Sequence, residues 1–175
     1  IHAVVDGRGR PLNFTLTVLG NNGGPTSTHA LLPGSPAINA GTNTGAPATD
    51  QRGIARPQQT TADMGAFESR GFTLALTSGS PQSAAVNAAF ANPLVVTVSS
   101  ANSEPVQGGR VSFTPPGSGA SAALTGNPAT IAANGQASVT ATANATLGGP
   151  YNVVANTTGA AAAVNFALTN ACQTI

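Results

Sequence analysis

Apolar and polar residues alternate along most of the chain after residue 70. A period of two places every second side chain on one face of a β-strand, so each alternating run predicts a strand with one buried face. Glycine, proline and asparagine residues that favour turns separate the runs. The runs lie at residues 72–76, 94–98, 111–113, 137–141, 151–155 and 164–168. About seven short strands in roughly 100 residues, with no helical pattern, predict an antiparallel β-sandwich over residues 71–170.

Two stretches of this half make more specific predictions. The alanines at residues 160–163 have a helix-like composition, but the alternation continues from them into residues 164–168, which predicts an edge strand. Asn134-Gly135 lies between Ile131 and a run that begins near Gln136. Because Asn-Gly is typical of two-residue turns, this pair predicts a β-hairpin.

Charge is sparse and unevenly distributed. The chain has six Arg, no Lys and five acidic residues, and its net charge is +1. Nine of the eleven charged residues lie in the first 70 positions, and only Glu104 and Arg110 follow. This change in composition predicts a domain boundary near Arg70. The predicted domains are residues 1–70 and 71–170, with residues 171–175 as a linker or the start of a further module.

The sparse charge argues against several classes of partner. No arginine cluster is available to neutralise nucleic-acid phosphates or to hold an anionic membrane. The longest apolar run, at residues 160–164, is far shorter than the roughly 18 to 20 residues of a membrane-spanning helix. Cys172 is the single cysteine and cannot form a disulfide within the chain. A nearly uncharged surface offers no electrostatic barrier to self-association, which is therefore an expected interaction.

Five charged residues fall within nineteen positions: Asp50, Arg52, Arg56, Asp63 and Glu68. Arginine binds carboxylates in a matched geometry, so a structural ion-pair network that fastens an irregular segment is the favoured interpretation. The alternative is a carboxylate pair for glycoside hydrolysis, which needs two acids in one cleft, roughly 5 to 9.5 Å apart. Asp63 and Glu68 are an odd number of positions apart and would face opposite sides of a continuous strand. Asp50 is free of that objection, so the alternative stays open.

His29 is the best placed candidate for a catalytic histidine. It could be combined with Ser27 or Ser35 and with Asp50 in a nucleophilic triad. Neither serine lies in the G-x-S-x-G elbow that presents a nucleophile in many hydrolases. We therefore interpret His29 as a hydrogen-bonded histidine at a corner of the chain.

The glycine pair before His29 raises the question of a ligand loop. Asn22, Gly23 and Gly24 could be taken for a loop that cradles phosphate, but no lysine or helix follows at the required offset, so a tight turn is the better interpretation. The acidic residues have no metal-site spacing, and calcium would need backbone carbonyl groups together with Asp6 or Asp50. We predict no catalytic residue, metal site or cofactor in this chain.

The motifs of the second half resemble a known family. They are GRVSFTPP at residues 109–116, GNPA at 126–129, NGQASVTA at 134–141 and GPYNV at 149–153. Together they resemble bacterial immunoglobulin-like domains, which occur as tandem modules in surface proteins and adhesins and are related in pattern to the invasin and intimin repeats. The resemblance implies a spacer or binding module without an active site. It places Tyr151 where a tyrosine-corner residue would lie, although an ordinary half-buried strand residue is an equal alternative.

The first 70 residues carry a second resemblance, in five motifs that follow one another in order. They are LGNNGGPT and THALLPGSPAINAG within residues 19–41, TDQRG at 49–53, RP at 56–57 and DMGAFE at 63–68. The set is similar to the closing segment of bacterial secreted right-handed parallel β-helix proteins. The resemblance implies that residues 1–70 are the last coils and the cap of such a β-helix.

The apolar pattern of this half is compatible with a solenoid end. Short apolar segments lie at residues 1–5, 16–19, 30–32 and 66–67, between glycine, proline and asparagine corners. Strands this short cannot bury a face alone and need stacked neighbours. The expected fold is therefore all-β: β-helix coils and cap, followed by an immunoglobulin-like antiparallel β-sandwich.

The two resemblances together imply a function outside the cell. We expect a non-catalytic structural or adhesive module of a bacterial cell-surface protein, which self-associates as a fibre or as tandem modules and binds a surface glycan or a receptor on another cell. We expect no nucleic-acid partner and no membrane insertion by this segment. The alternative is the cap and accessory module of a β-helix polysaccharide lyase or hydrolase whose active site lies upstream.

Overall fold

The computed structural model describes residues 14–172, so the strand predicted at residues 1–5 lies outside the described range. Within this range the protein is all-β, with nine strands and no helix, and therefore with no helix that could span a membrane. Each of the six alternating runs coincides with a strand, which confirms the predicted all-β class. The strands are β1 (Thr73–Ser78), β2 (Gln82–Ala85), β3 (Leu94–Ser99), β4 (Arg110–Thr114), β5 (Ala122–Thr125), β6 (Ala129–Thr130), β7 (Gln136–Ala143), β8 (Gly148–Asn156) and β9 (Val164–Ala171).

The strands form two sheets around one core. The four-stranded sheet has the order β1-β3-β7-β5, and the five-stranded sheet has the order β2-β9-β8-β4-β6. Neighbouring strands are antiparallel, except that β2 pairs with β9 in parallel. Alternate side chains of both sheets are buried together, among them Val96 and Val139 from one sheet and Phe113 and Phe166 from the other. Each such side chain contributes about 1.5–3 kcal/mol when fully buried.

The alanine tract does not form the predicted edge strand. Ala160 makes a single bridge with Phe72, and β9 begins only at Val164. The tract lies in the return from β8 to β9, which pair with each other as neighbours, so these residues must turn rather than extend. β9 itself lies between β2 and β8 and is an interior strand.

The Asn134-Gly135 turn is present and closes a short hairpin loop, in which the N–H of Ala132 donates to the carbonyl of Gln136 at 2.8 Å, but the strands on either side of it do not pair. Gly135 has a φ of 79°, and its N–H donates to the carbonyl of Ala132 at 2.9 Å. The turn joins β6 of the five-stranded sheet to β7 of the four-stranded sheet, and these two strands do not pair with each other. A local turn motif specifies the reversal of the chain, but packing decides which strand the chain meets afterwards.

Residues 14–70, called the N-terminal segment below, contain no strand longer than a single bridge. The bridges are antiparallel and local: Leu16 with Leu31, Gly20 with Thr28 and Thr49 with Ala55. The short strands predicted at residues 16–19, 30–32 and 66–67 are therefore not formed. Val18 is 87% exposed and Leu19 is 61% exposed, so residues 16–19 have no buried face on which a strand would depend.

The N-terminal segment packs directly on the sheets. Leu31, Ile38 and Phe67 belong to the same buried cluster as Phe72 and the strand residues. The backbone continues this contact, since the N–H of Gly34 donates to the carbonyl of Thr158 at 3.1 Å and the N–H of Arg110 donates to that of Pro33 at 2.8 Å. Both hydrophobic and backbone contacts thus cross the boundary predicted near Arg70.

Gly34 is expected to be essential to this contact. It has a φ of +82°, and a Cβ at this position would lie 2.7 Å from the carbonyl oxygen of Arg110. Gly34→Ala is expected to lower the free energy of unfolding by about 2–4 kcal/mol, because it adds a backbone clash to left-handed strain. Gly45→Ala is the matched control, since Gly45 has a φ of +76° with no atom within 4 Å of a Cβ. We expect that control to lose only about 1 kcal/mol in urea unfolding; equal losses would contradict the proposed close contact.

Candidate functional site

The acidic side chains of residues 14–172 lie in one connected group where the N-terminal segment meets the sheets. This carboxylate cluster consists of Asp50, Asp63, Glu68 and Glu104, whose residues are 6%, 4%, 1% and 6% exposed. Buried carboxylates are costly unless they are paired or hydrogen-bonded. The partners of each carboxylate therefore determine what the cluster can do.

Asp50 is held by a turn of its own segment. Its Oδ1 accepts hydrogen bonds from the N–H groups of Arg52 at 2.7 Å and Ile54 at 3.0 Å. Its Oδ2 accepts from the N–H of Glu68 at 2.9 Å and from Nε of Arg52 at 2.9 Å. Both oxygens are thus occupied by backbone amides and one guanidinium.

Asp63 and Glu68 lie side by side, and not on opposite faces as the odd spacing suggested. The N–H of Asp63 donates to Oε2 of Glu68 at 2.9 Å. Oδ1 of Asp63 accepts from the N–H of Asn39, and Oδ2 accepts from the N–H of Ser69, each at 2.7 Å. The parity argument fails because the chain bends at residues 64–66 and does not form a continuous strand from Asp63 to Glu68.

Three arginines balance most of the negative charge of the carboxylate cluster: Arg52, Arg56 and, beside Glu104, Arg70. Nη1 of Arg56 lies 3.2 Å from Oε2 of Glu68, and the same guanidinium donates to the carbonyl groups of Asp63 and Gly65. Nη2 of Arg52 lies 2.8 Å from Oδ2 of Asp50. The Arg52 guanidinium also stacks over the ring of Phe67, 3.5 Å from its centroid, as a cation–π contact.

Glu104 is the member that the sequence analysis missed. It lies between β3 and β4, yet its Oε2 accepts from the hydroxyl of Ser69 at 3.0 Å and from the N–H of Arg70 at 3.0 Å. Its Oε1 lies 3.7 Å from Nη1 of Arg52 and 3.4 Å from Nε of Arg70. One signal was available: Glu104 is the only acidic residue after residue 70. Glu104 is thus the ionic link between the sheets and the N-terminal segment.

The environment shifts the pKa of two of these carboxyl groups in opposite directions. Burial raises the pKa of Asp63 from 3.8 to about 6, and the charge of Glu68 adds to this, against the amides of Asn39 and Ser69. Burial also acts to raise the pKa of Asp50. There, the hydrogen bonds from Glu68, Arg52 and Ile54 outweigh burial, and the pKa of Asp50 is lowered.

The raised pKa of Asp63 predicts a specific pH dependence. The folded protein keeps this proton to a higher pH than the unfolded chain does. Asp63 therefore lowers the unfolding free energy by nothing well below pH 3.8, and by a growing amount as the pH rises through about 6. Between about pH 4.5 and about pH 7, wild-type protein should lose about 2 kcal/mol more unfolding free energy than Asp63→Asn. Urea unfolding of both proteins at both pH values measures this difference. The same pH dependence in both would contradict the assignment to Asp63.

The residues of the hypothetical nucleophilic triad do not come together. His29 is exposed, and its Nδ1 lies 2.8 Å from the carbonyl oxygen of Thr17. It lines a mainly apolar cavity of about 300 Å³ with Ser27 and Phe67, and none of the four clustered carboxylates lines that cavity. Ser35 is fully buried. Among the described residues, no hydrogen bond joins His29 to either serine or to Asp50.

Asn22, Gly23 and Gly24 lie in a bend, and Asn22 closes it. Nδ2 of Asn22 donates to the carbonyl of Thr28 at 2.8 Å. Gly23 and Gly24 have φ values of 89° and 92°, and a Cβ on Gly24 would lie 2.9 Å from the carbonyl oxygen of Gln51. The bend therefore packs against the segment that carries Asp50 and Arg52.

Tyr151 does not make the backbone hydrogen bond of a tyrosine corner. Its hydroxyl donates to Oδ1 of Asn170 on the neighbouring strand, at 2.8 Å. Asn170 is 2% exposed, and its Nδ2 donates to Asn144 and to the carbonyl groups of Ser121 and Thr146. This buried asparagine, which sequence reasoning also missed, fastens β9 to two neighbouring loops. Burial raises the pKa of Tyr151, partly offset by the bond to Asn170.

The chemistry open to the carboxylate cluster follows from these contacts. The carboxylate oxygens of Asp50, Asp63 and Glu68 accept hydrogen bonds from the protein's own amides or arginines, which leaves little capacity for a substrate or a water nucleophile. Across residues 14–172, no three His, Cys, Asp or Glu side chains are placed to hold a metal ion. The arrangement is suited to fastening two parts of the chain together. Comparisons of the chain with protein-family models, with curated proteins and with solved structures found no match.

Proposed function

We propose that this chain is a non-catalytic structural or adhesive module of a bacterial protein that acts outside the cell or on its surface. The observation that carries the proposal is the use of the described carboxylates. All four are buried in a network that joins the N-terminal segment to the sheets. A spacer or a display module requires a rigid junction between its parts, because a flexible junction would not hold the displayed part in a fixed position.

The order of the strands supports an immunoglobulin-like assignment for residues 71–170. In constant-type immunoglobulin domains, the first, second, fifth and fourth strands form one sheet and the third, sixth and seventh form the other. If β2 and β6 are counted as additional edge strands, the order β1-β3-β7-β5 reproduces the first sheet and β9-β8-β4 reproduces the second. The β-helix assignment of residues 1–70 rests on the sequence motifs alone.

The proposed role includes self-association and binding to a surface glycan or a receptor. The four arginines and four acidic residues of the described range leave the exposed faces of both sheets almost uncharged. Such faces are compatible with contacts between copies, because neither charge repulsion nor desolvation of ions opposes them.

The experiment that tests this proposal measures binding and turnover with the same protein preparation. The chain is incubated with acidic and neutral polysaccharides, and new reducing ends and unsaturated sugars are measured beside saturable binding to the same glycans and to cells. We expect saturable binding to a glycan or to cells, without turnover. Turnover that Glu68→Gln abolishes without loss of folding would overturn the proposal and favour a carboxylate pair for glycoside hydrolysis within this chain. The absence of all binding would also overturn the proposal.

A further inference from the structure

The first strand of the four-stranded sheet has an unusual sequence. Residues 73–77 read Thr-Leu-Ala-Leu-Thr, which is the same in both directions about Ala75. Among the strands of residues 14–172, β1 is an end strand of its sheet and pairs only with β3. Five of its six residues are exposed, among them Leu76, which is 42% exposed. Leu74 is half-buried. This is an exposed, uncharged and proline-free edge, the kind that natural proteins usually protect.

The outer edge of β1 has free hydrogen-bonding groups at defined residues. The N–H and C=O of Phe72 bond to Gly159 and Ala161, on the side away from β3. The N–H and C=O of successive residues point to opposite sides of a strand. The N–H and C=O of Leu74 and Leu76 therefore point to the same side as those of Phe72. Within residues 14–172, no backbone hydrogen bond reaches these two leucines from that side.

We infer that β1 is a self-recognition edge, where a second copy of this chain pairs with it in antiparallel register about Ala75. In this register Leu74 lies opposite Leu76 of the second copy, and each of these pairs exchanges two backbone hydrogen bonds. The two Ala75 residues face each other at the two-fold axis, and Thr73 lies opposite Thr77. The inference rests on the proposed structural role, of which self-association is a part.

The palindrome is the reason to choose a second copy as the partner. In a two-fold contact, a residue i of one copy meets a residue j of the other, and residue j of the first copy meets residue i of the second. When the strand reads the same in both directions, the residues that meet are of the same type. The sheet already uses such pairs, since the hydroxyls of Thr77 and Thr97 lie 2.7 Å apart and those of Thr73 and Ser99 lie 2.9 Å apart. A second β1 would extend the same threonine pattern, and each cross-strand pair contributes about 0.2–1 kcal/mol.

Charge does not oppose the contact. Arg70 is the nearest charged residue to β1 in sequence, and it already pairs with Glu104. In the proposed register the two Arg70 residues lie roughly 33 Å apart, at about 3.3 Å per residue, several times the Debye length in physiological salt. The bulge at Thr77, between Leu76 and Ser78, ends the regular edge, so the backbone hydrogen bonds of the pairing are confined to Leu74 and Leu76.

A contact of two five-residue strands is small compared with a standard interface. We therefore expect a dissociation constant on the order of micromolar or weaker. A two-fold pairing through β1 closes on itself, so it produces dimers, and a fibre would require a second contact.

Sedimentation equilibrium over a wide concentration range tests the inference. Ala75→Lys places two ammonium groups opposite each other at the axis and is expected to weaken dimerisation roughly tenfold or more. Ala75→Asp should weaken it similarly, and an equimolar mixture of the two variants should restore a dimer. Ala123→Lys is the matched control, because Ala123 is an exposed alanine on β5, the other end strand of the same sheet. Circular dichroism verifies that each variant is folded.

Cross-linking provides an independent measurement of the register. In a Cys172→Ser background, Ala75→Cys should form a disulfide-linked dimer under mild oxidation, since facing residues of a non-hydrogen-bonded antiparallel pair are close enough for a disulfide. Ala123→Cys should not. Wild-type protein that stays monomeric at its highest soluble concentration, or dimers that Ala75→Lys does not weaken, would overturn the inference. A monomeric wild type would also remove self-association from the proposed function, whereas dimers that Ala75→Lys does not weaken would overturn this inference alone. Neither result bears on the glycan-binding and turnover assays, which test the rest of the proposed function separately.

Discussion

Glu104→Ala is expected to lower the free energy of unfolding by about 3–5 kcal/mol, the loss typical of removing one partner from a buried ionic group. The substitution leaves the hydroxyl of Ser69 and the N–H of Arg70 without their acceptor. It also leaves Arg52 with less negative charge in a site from which water is largely excluded. The loss should therefore exceed that of an ordinary surface substitution several-fold.

The same variant should also loosen the N-terminal segment. Because Glu104 links this segment to the sheets, limited proteolysis of Glu104→Ala should cut residues 14–70 at a protease concentration that leaves wild-type protein intact. Glu104→Gln keeps the shape and one acceptor, and it should give an intermediate loss. Gln107→Ala, at an exposed position three residues further on, is the control and should stay within about 0.5 kcal/mol of wild type. A Glu104→Ala protein as stable as that control would disprove the linking role.

Arg52→Ala is expected to cost about 3 kcal/mol or more. Arg52 makes the ion pair with Asp50, donates to the carbonyl of Glu68, and stacks on Phe67. A buried aspartate that loses its guanidinium retains only its amide donors. Loss of the cation–π contact adds about 0.5–2 kcal/mol.

The pH dependence should separate the ionic contribution of Arg52 from its packing. A lowered carboxyl pKa contributes stability that is present above the unfolded value of 3.8 and is lost as the pH falls through the folded value. Arg52→Ala should therefore reduce the loss of stability of the protein in acid. Arg52→Lys keeps the charge without the planar fork and should recover only part of the stability. If Arg52→Ala and Arg52→Lys have the same stability at neutral pH, the charge of Arg52 contributes nothing.

Double-mutant cycles can show whether Arg52 and Glu104 act together. Nη1 of Arg52 and Oε1 of Glu104 are 3.7 Å apart, and both residues belong to one network with Arg70. Residues in one buried network typically couple by about 0.5–3 kcal/mol. Losses that add independently would mean that Arg52 stabilises the N-terminal segment through Asp50, Glu68 and Phe67 alone, and that its contact with Glu104 contributes nothing.

The site was only partly predictable from the sequence. The concentration of Asp50, Arg52, Arg56, Asp63 and Glu68 predicted an ion-pair network, and the ion pairs Asp50–Arg52 and Arg56–Glu68 lie within it. The expected separation of Asp63 from Glu68 was wrong, because it assumed a regular strand. Glu104 stood out only as the single acidic residue after residue 70, and its partners could not be predicted, since it lies 34 residues beyond Arg70 along the chain and no local pattern connects them.

What the sequence by itself determined is the local state of the chain. Alternation at period two makes one face of each segment apolar, and that property depends on neighbouring residues alone, so the all-β class and six of the nine strands were predictable. β2, β5 and β6 were missed because two to four residues are too few to show a period.

Only the tertiary structure decided which segments meet. It joined Asn134-Gly135 to strands of different sheets, made the alanine tract a return loop, and folded the N-terminal segment onto the sheets without strands of its own. Each outcome depends on contacts between residues far apart in sequence, whose free energy is gained only when the whole core closes and water is excluded. The burial of Glu104 beside Arg70 and Arg52 is the clearest case, because its charge is tolerable in the interior only where distant donors converge on it.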